Sequence, residues 1–171
     1  MKISFMKYFF ATLLFCCFCS IVNAQAYDAT PPYQKDSLIP AFSIIQTDST
    51  WFNKEALPDN KPVVIIYFNP ECGHCQLTAH EFEQKKNKLK DAFFVWVTYD
   101  TSFREIKSFA DEYKLLNEKN IRVGRDPKYY VPSFFRVKFT PFMAVYGKNG
   151  KLIQTYDAGT DPDTIIRLLD L

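Results

Sequence analysis

A Cys-x-x-Cys placed where an apolar run meets a helix constrains this chain more than any other feature. Val63-Val64-Ile65-Ile66-Tyr67-Phe68 is rich in β-branched residues and six residues long, which suits a strand buried on both faces. Asn69-Pro70-Glu71-Cys72-Gly73-His74-Cys75-Gln76 follows it. From Cys75 to about Lys90, apolar residues at Cys75, Ala79, Phe82 and Leu89 recur at spacings of four, three and seven, the mark of a helix with one apolar face. A strand-to-helix junction puts the first sulfur at a helix N-terminus, where free N–H groups and the positive end of the macrodipole stabilise a thiolate. The thiolate is the species that attacks disulfides, so the junction reads as a redox centre.

Cysteine usage sharpens that reading. Residues 1–24 have the form of a secretory signal: Lys2 and Lys7 are the basic region, Phe9 to Phe18 the apolar core, and Val22-Asn23-Ala24 the small-residue cleavage site. An uncleaved membrane anchor is the alternative, although the apolar run is shorter than the ~20 residues of a span. Lipidation at Cys16, Cys17 or Cys19 fits less well, since Phe or Cys precedes each of them. Of five Cys, three fall in this segment, leaving Cys72 and Cys75. A structural staple enclosing only two residues constrains almost nothing, so exchange chemistry is the stronger reading. Without Lys2 and Lys7 the chain carries 19 basic and 19 acidic residues, which gives no electrostatic case for nucleic acid.

In chain order, 25–40 carries Pro31, Pro32 and Pro40 and reads as a flexible leader; one domain, 41–171, follows. Ala41 to Ile45 suggests a short strand at an edge. Thr47 to Lys61 reads as a connection with a Trp51-Phe52 anchor and a Pro58-Asp59-Asn60 turn. After the central strand, the motif and its helix, Phe93 to Thr98 is a second buried strand. Ser102-Phe103-Arg104-Glu105 has the form of a capping box opening a second helix, with Phe103, Ile106, Ala110, Tyr113 and Leu116 as its apolar stripe. This order predicts a βαβ unit with parallel strands. Ile121 to Gly124 suggests a third strand, and the aromatic stretch Pro127 to Phe139 a short helix. Phe142 to Tyr146 and Lys151 to Tyr156 flank Gly147-Lys148-Asn149-Gly150, whose Asn-Gly predicts an antiparallel hairpin. Asp161 as cap, Pro162 at the first helical position, and Ile165, Ile166, Leu168 and Leu169 predict a terminal amphipathic helix.

From about Ile39 to Leu171 these motifs, with Thr140-Pro141 leading into Phe142-Met143-Ala144-Val145-Tyr146, resemble the thioredoxin-like superfamily and its exported thiol–disulfide oxidoreductase branch. The inner Gly73-His74 is similar to that of protein disulfide isomerases. The resemblance implies an α/β, thioredoxin-like fold: a central mixed β-sheet flanked by helices, with a C-terminal β-hairpin and helix. It implies Cys72 as attacking thiolate, Cys75 as resolving thiol, Gly73 and His74 as redox-tuning positions, and Pro141 as a cis-proline that fixes Thr140 for substrate contact. Two departures stand out. Ile66 occupies the place of a buried acid that serves the second Cys, and Glu71 replaces the usual Trp, where its charge is expected to raise the Cys72 pKa.

A metal site is the weaker reading of the Cys pair. Structural zinc takes four ligands, and beyond the signal segment the Cys and His residues are Cys72, Cys75, His74 and His80, of which His74 sits inside the motif where the chain can hardly wrap it round the same ion; no metal and no organic cofactor is expected. His80 reads as a solvated helix-face residue. The expected partners are protein thiol or disulfide substrates and an unidentified redox partner that regenerates the pair. No nucleic acid is expected, and no membrane contact beyond an uncleaved signal segment. The chain is expected to be monomeric and exported, to the periplasm where the cell has two membranes. The rival from another class is a non-catalytic thioredoxin-fold module that binds a client or a metal-delivery partner. A peroxide-reducing enzyme ranks lower, since the chain lacks a Thr-x-x-Cys.

Overall fold

In the computed structural model residues 30–171 are described, so the expected signal segment, 1–24, lies outside the described residues. Seven strands form one sheet in the order β2-β1-β5-β4-β3-β6-β7. They span Ser43–Gln46 (β1), Trp51–Asn53 (β2), Val63–Tyr67 (β3), Phe93–Thr98 (β4), Ile121–Arg125 (β5), Phe142–Tyr146 (β6) and Leu152–Tyr156 (β7). The helices are Pro32–Lys35 (α1), Gly73–Leu89 (α2), Phe103–Glu112 (α3), Tyr130–Phe135 (α4) and Pro162–Leu169 (α5).

The centre is the predicted parallel pair. β3 and β4 run parallel with Val63 opposite Phe93 and Tyr67 opposite Val97, and β5 joins β4 in parallel. Every residue of β3, β4 and β6 is buried, as expected of strands covered on both faces. Alternation then divides the core in two. Val64, Ile66 and Phe68 pack with Cys75, Ala79 and Phe82 of α2, Ile106 and Phe109 of α3 and Ile165 of α5. Val63, Ile65 and Tyr67 pack on the other face with Val131 and Phe135 of α4. Each fully buried aliphatic or Phe side chain contributes about 1.5–3 kcal/mol of transfer free energy.

The caps follow the sequence, except that the Ser102 N–H bonds to Asp100 and not to Glu105, so the expected capping box closes on one side only. The Ser102 hydroxyl accepts from the Glu105 N–H at the start of α3, and Asp161 accepts from the Thr164 N–H at the start of α5. β6 and β7 pair antiparallel across the predicted hairpin. There Gly150 alone takes a positive φ, +71°, while Gly147 N–H bonds to Lys151 and Gly150 N–H to Gly147, the arrangement of a type I turn closed by a glycine bulge.

Three expectations need correction. β1 is not an edge strand: it lies between β2 and β5. The edge is β2, inside the stretch read as a connection, where Phe52 is buried and Trp51 stands exposed. The part of the expected leader that is described is held rather than loose, and one compact unit spans Pro31–Leu171. Leu38 bridges to Lys151, Ile39 N–H bonds to Gly150 and Leu152 N–H to Ser37, so this strap covers the start of β7. Tyr33 packs on Phe135. Covering an otherwise open sheet edge is the physical reason the segment is ordered.

Candidate active site

The antiparallel pairing of β3 with β6 builds the site. Its register sets Tyr67 opposite Phe142, so Pro141 stands beside the turn that leaves β3 although the two segments are about 70 residues apart in sequence. The Thr140-Pro141 bond is cis, the geometry implied by the resemblance. Cys72 Sγ lies 3.4 Å from the Thr140 carbonyl oxygen.

The turn itself is an Asx turn. Asn69 Oδ1 accepts from the Glu71 N–H at 2.8 Å, and the Asn69 carbonyl accepts from the Cys72 N–H at 3.1 Å. Pro70 is buried, and its carbonyl accepts from Gln76 Nε2 at 2.9 Å. Cys72 then caps the 17-residue helix α2, with φ −79° and ψ 116°, which places its sulfur at the positive end of the helix. The helix begins at Gly73, two residues before the expected start. Both cysteines are free thiols.

The two sulfurs differ in accessibility and acidity. Cys72 is half-buried and Cys75 fully buried. Burial alone would push the Cys72 thiol up, but the Cys75 and His74 N–H groups, Thr140 and the Cys75 thiol outweigh it and leave Cys72 below the ordinary thiol value. For Cys75 burial dominates. With the neighbouring Cys72 it overrides the Asn69 N–H and pushes the thiol up to about 12. This arrangement makes Cys72 the more reactive sulfur near neutral pH.

The expected effect of Glu71 is corrected here. Its charge is expected to raise Cys72, yet on balance that thiol is lowered; the Glu71 side chain is exposed to solvent, where screening weakens its charge, and the Cys75 and His74 N–H groups lower the thiol. What His74 contributes to the acidity of Cys72 comes through its backbone N–H, and its ring is exposed. Around Gly73 there is nothing within 4 Å of where a Cβ would stand, so the approach to Cys72 is open on that side. His80 is exposed on α2 and pairs with Gln84 at 2.9 Å, as expected of a solvated helix face. Ile66 is fully buried, opposite Trp96 and Met143. The leading influences on Cys75 are its burial, the Asn69 N–H, Cys72 and Thr140.

Sequence reasoning missed three features. Asn69 holds the turn, and the only local signal was its place before Pro70. Gly159, at φ +73°, approaches the Pro141 ring so closely that a Cβ would lie 2.7 Å from Pro141 Cγ. Asp126, 1% exposed, accepts from the Lys128 and Val131 N–H groups and so anchors the start of α4. The aromatic stretch Pro127 to Phe139 divides: Val131 and Phe135 are core, while Tyr129 and Phe139 are exposed. Among the described residues no group of three His, Cys, Asp or Glu side chains is placed to hold a metal ion, and no helix is long and apolar enough to cross a membrane.

Comparison with known proteins agrees with this architecture. Protein disulfide isomerase-like 2-1 of Oryza sativa subsp. japonica is 26% identical over 137 residues, covering 80% of this chain; the chain spans about a third, 31%, of that relative's length. A thiol:disulfide interchange protein of the thioredoxin family from Chlorobium tepidum matches with a TM-score of 0.66 at 15% identity, covering 84% of this chain and 97% of the other. A secreted Mycobacterium tuberculosis disulfide oxidoreductase homologous to DsbE matches with a TM-score of 0.64 at 19% identity, covering 75% and 93%. At these identities the two structures speak for the fold, a mixed sheet flanked by helices as the sequence predicts. The sequence profile of the thioredoxin-like domain matches residues 53–171, the span from β2 to the C-terminus that carries both the Cys turn and Pro141, and the chain belongs to that family.

Proposed function

We propose that this protein is an exported thiol–disulfide oxidoreductase that exchanges disulfides with protein substrates through Cys72 and Cys75. The observation that carries the reading is the asymmetry of two thiols within one helical turn: one accessible and acidic, the other buried with its pKa pushed up to about 12. In the reductive direction the Cys72 thiolate attacks one sulfur of a substrate disulfide. A Cys72–substrate disulfide forms, and the displaced substrate sulfur leaves as a thiolate and takes up a proton. Cys75 then loses its proton and attacks Cys72 Sγ, releasing the second substrate thiol and leaving a Cys72–Cys75 disulfide. Two electrons pass from the pair to the substrate, and a redox partner supplies or removes them in the regenerating step. The Thr140 carbonyl lies 3.4 Å from Cys72 Sγ, which supports Thr140 and the adjoining Pro141 as the proposed substrate-contact segment. The signal-like segment 1–24 supports export, as does the secreted character of the Mycobacterium tuberculosis relative.

Cys75→Ser removes resolution while leaving Cys72 able to attack. In cells with a native redox pool the variant is expected to accumulate adducts on Cys72 that dithiothreitol dissolves, read by non-reducing gel and mass. Absence of any adduct would sink the mechanism.

A second reading is favoured by Ile66, a buried apolar residue at the position where the family resemblance implies an acid serving Cys75: a thioredoxin-fold module that binds a client without turnover. On that reading a Cys72→Ser, Cys75→Ser double variant retains client binding, measured by co-purification of a client found with the parent chain. Loss of binding in that variant removes it.

A further inference from the structure

We infer that Asn69, tied to the hydroxyl of Tyr99, is a positioning residue for the two reacting sulfurs. The inference rests on the reading of Cys72 and Cys75 as an exchange pair. Asn69 uses all its polar groups at once. Its Oδ1 accepts from Glu71 N–H at 2.8 Å, its carbonyl accepts from Cys72 N–H at 3.1 Å, and its Nδ2 donates to the Tyr99 hydroxyl at 3.3 Å. Its own N–H works against burial at Cys75 by favouring the thiolate. One residue therefore holds the backbone of the first cysteine and bears on the acidity of the second.

Tyr99 gives this hub a fixed anchor. It follows Thr98, the last residue of β4, so the bond joins the carboxyl ends of two neighbouring parallel strands. Its ring, 40% exposed, stacks with two others, Tyr67 at 6.4 Å and Tyr129 at 6.1 Å between centroids. Such stacking restricts the ring before any hydrogen bond forms. Asn69 needs this support because it is only half-buried, and an Asx turn in solvent competes with water. If the turn loosens, the Cys75 and His74 N–H groups no longer converge on Cys72, and the thiolate loses the bonds that favour it.

The test is iodoacetamide alkylation of the reduced chain at pH 7, together with its equilibrium against glutathione. Asn69→Ala is expected to slow alkylation of Cys72 about threefold to tenfold and to shift the equilibrium by a similar factor toward the disulfide, a tenfold change being about 30 mV. Asn69→Ser, which keeps a turn acceptor, is expected to recover part of the loss. Tyr99→Phe leaves the turn residues intact and is expected to slow alkylation about twofold; combined with Asn69→Ala it adds nothing further, since the two groups act as a pair. A turn residue with a merely structural role would lower the urea midpoint while leaving alkylation rate and equilibrium at parent values, and that result in Asn69→Ala overturns the inference. Should Asn69→Ala not fold, Asn69→Ser and Tyr99→Phe both alkylating at the parent rate overturn it equally. A parent chain that never equilibrates with glutathione would instead strike the exchange reading, while alkylation would still measure Cys72.

Discussion

Once a mixed disulfide stands on Cys72, its resolution by Cys75 is expected to quicken about tenfold for each pH unit from roughly 6 to 9, close to a thousandfold in all. The attacking species is the Cys75 thiolate, whose fraction rises tenfold per unit while the pH lies well below the thiol pKa. Burial pushes that pKa up to about 12, with the neighbouring Cys72 adding to it. In the mixed disulfide the charge on Cys72 is gone, so its contribution falls away, but the burial remains. Ile66 offers no shortcut: it is fully buried at the position where the family resemblance implies a proton-accepting acid. Ellman's reagent measures the step directly, since attack by Cys72 releases one chromophore and closure by Cys75 releases the second. A second phase that levels off below about pH 8 would reveal an internal base and overturn the argument. Ile66→Asp is the complement. It is expected to flatten the dependence by supplying that base, at a cost of about 3 kcal/mol or more from lost apolar burial and a desolvated carboxyl.

Legibility in the sequence followed the range of the interaction involved. β3, β4, α3 and α5 rest on periodicity and on caps a few residues away, and they lie close to where the pattern put them. The short edge strand β2 alternates exposed, buried, exposed over Trp51–Asn53, too few residues to tell from a loop with an anchor. The strap at Ser37, Leu38 and Ile39 is ordered by partners at Gly150, Lys151 and Leu152, more than 100 residues away, so its proline content misled. At the site the two cysteines were plain from spacing, but Asn69 joins Tyr99 only because their strands are neighbours in the sheet. Glu71 shows the opposite failure. Adjacency in sequence suggested a repulsive field on Cys72, whereas exposure and the convergence of N–H groups decide the sign.

Gly159→Ala is expected to lower stability by about 2–5 kcal/mol and to impair exchange more than distance along the chain from the cysteines suggests. Gly159 lies in the turn between β7 and α5, its N–H bonded to the Tyr156 carbonyl, with φ at +73°. An Ala in that left-handed region costs about 1–2 kcal/mol. The added Cβ would also lie 2.7 Å from Pro141 Cγ, a closeness real Cβ atoms essentially never show, and 3.5 Å from Pro141 Cβ, an ordinary contact. A proline ring cannot swing aside as a long side chain does, so either the Gly159 turn or the Thr140-Pro141 segment must move, adding about 1–3 kcal/mol of overpacking. The Thr140 carbonyl lies 3.4 Å from Cys72 Sγ, so movement of that segment reaches the reacting sulfur directly. The effect should therefore appear twice: as a lower urea midpoint, and as slower reduction of insulin disulfides per folded molecule. A variant with the parent midpoint and the parent rate would mean that the turn yields without strain and that Gly159 does not brace the Pro141 segment.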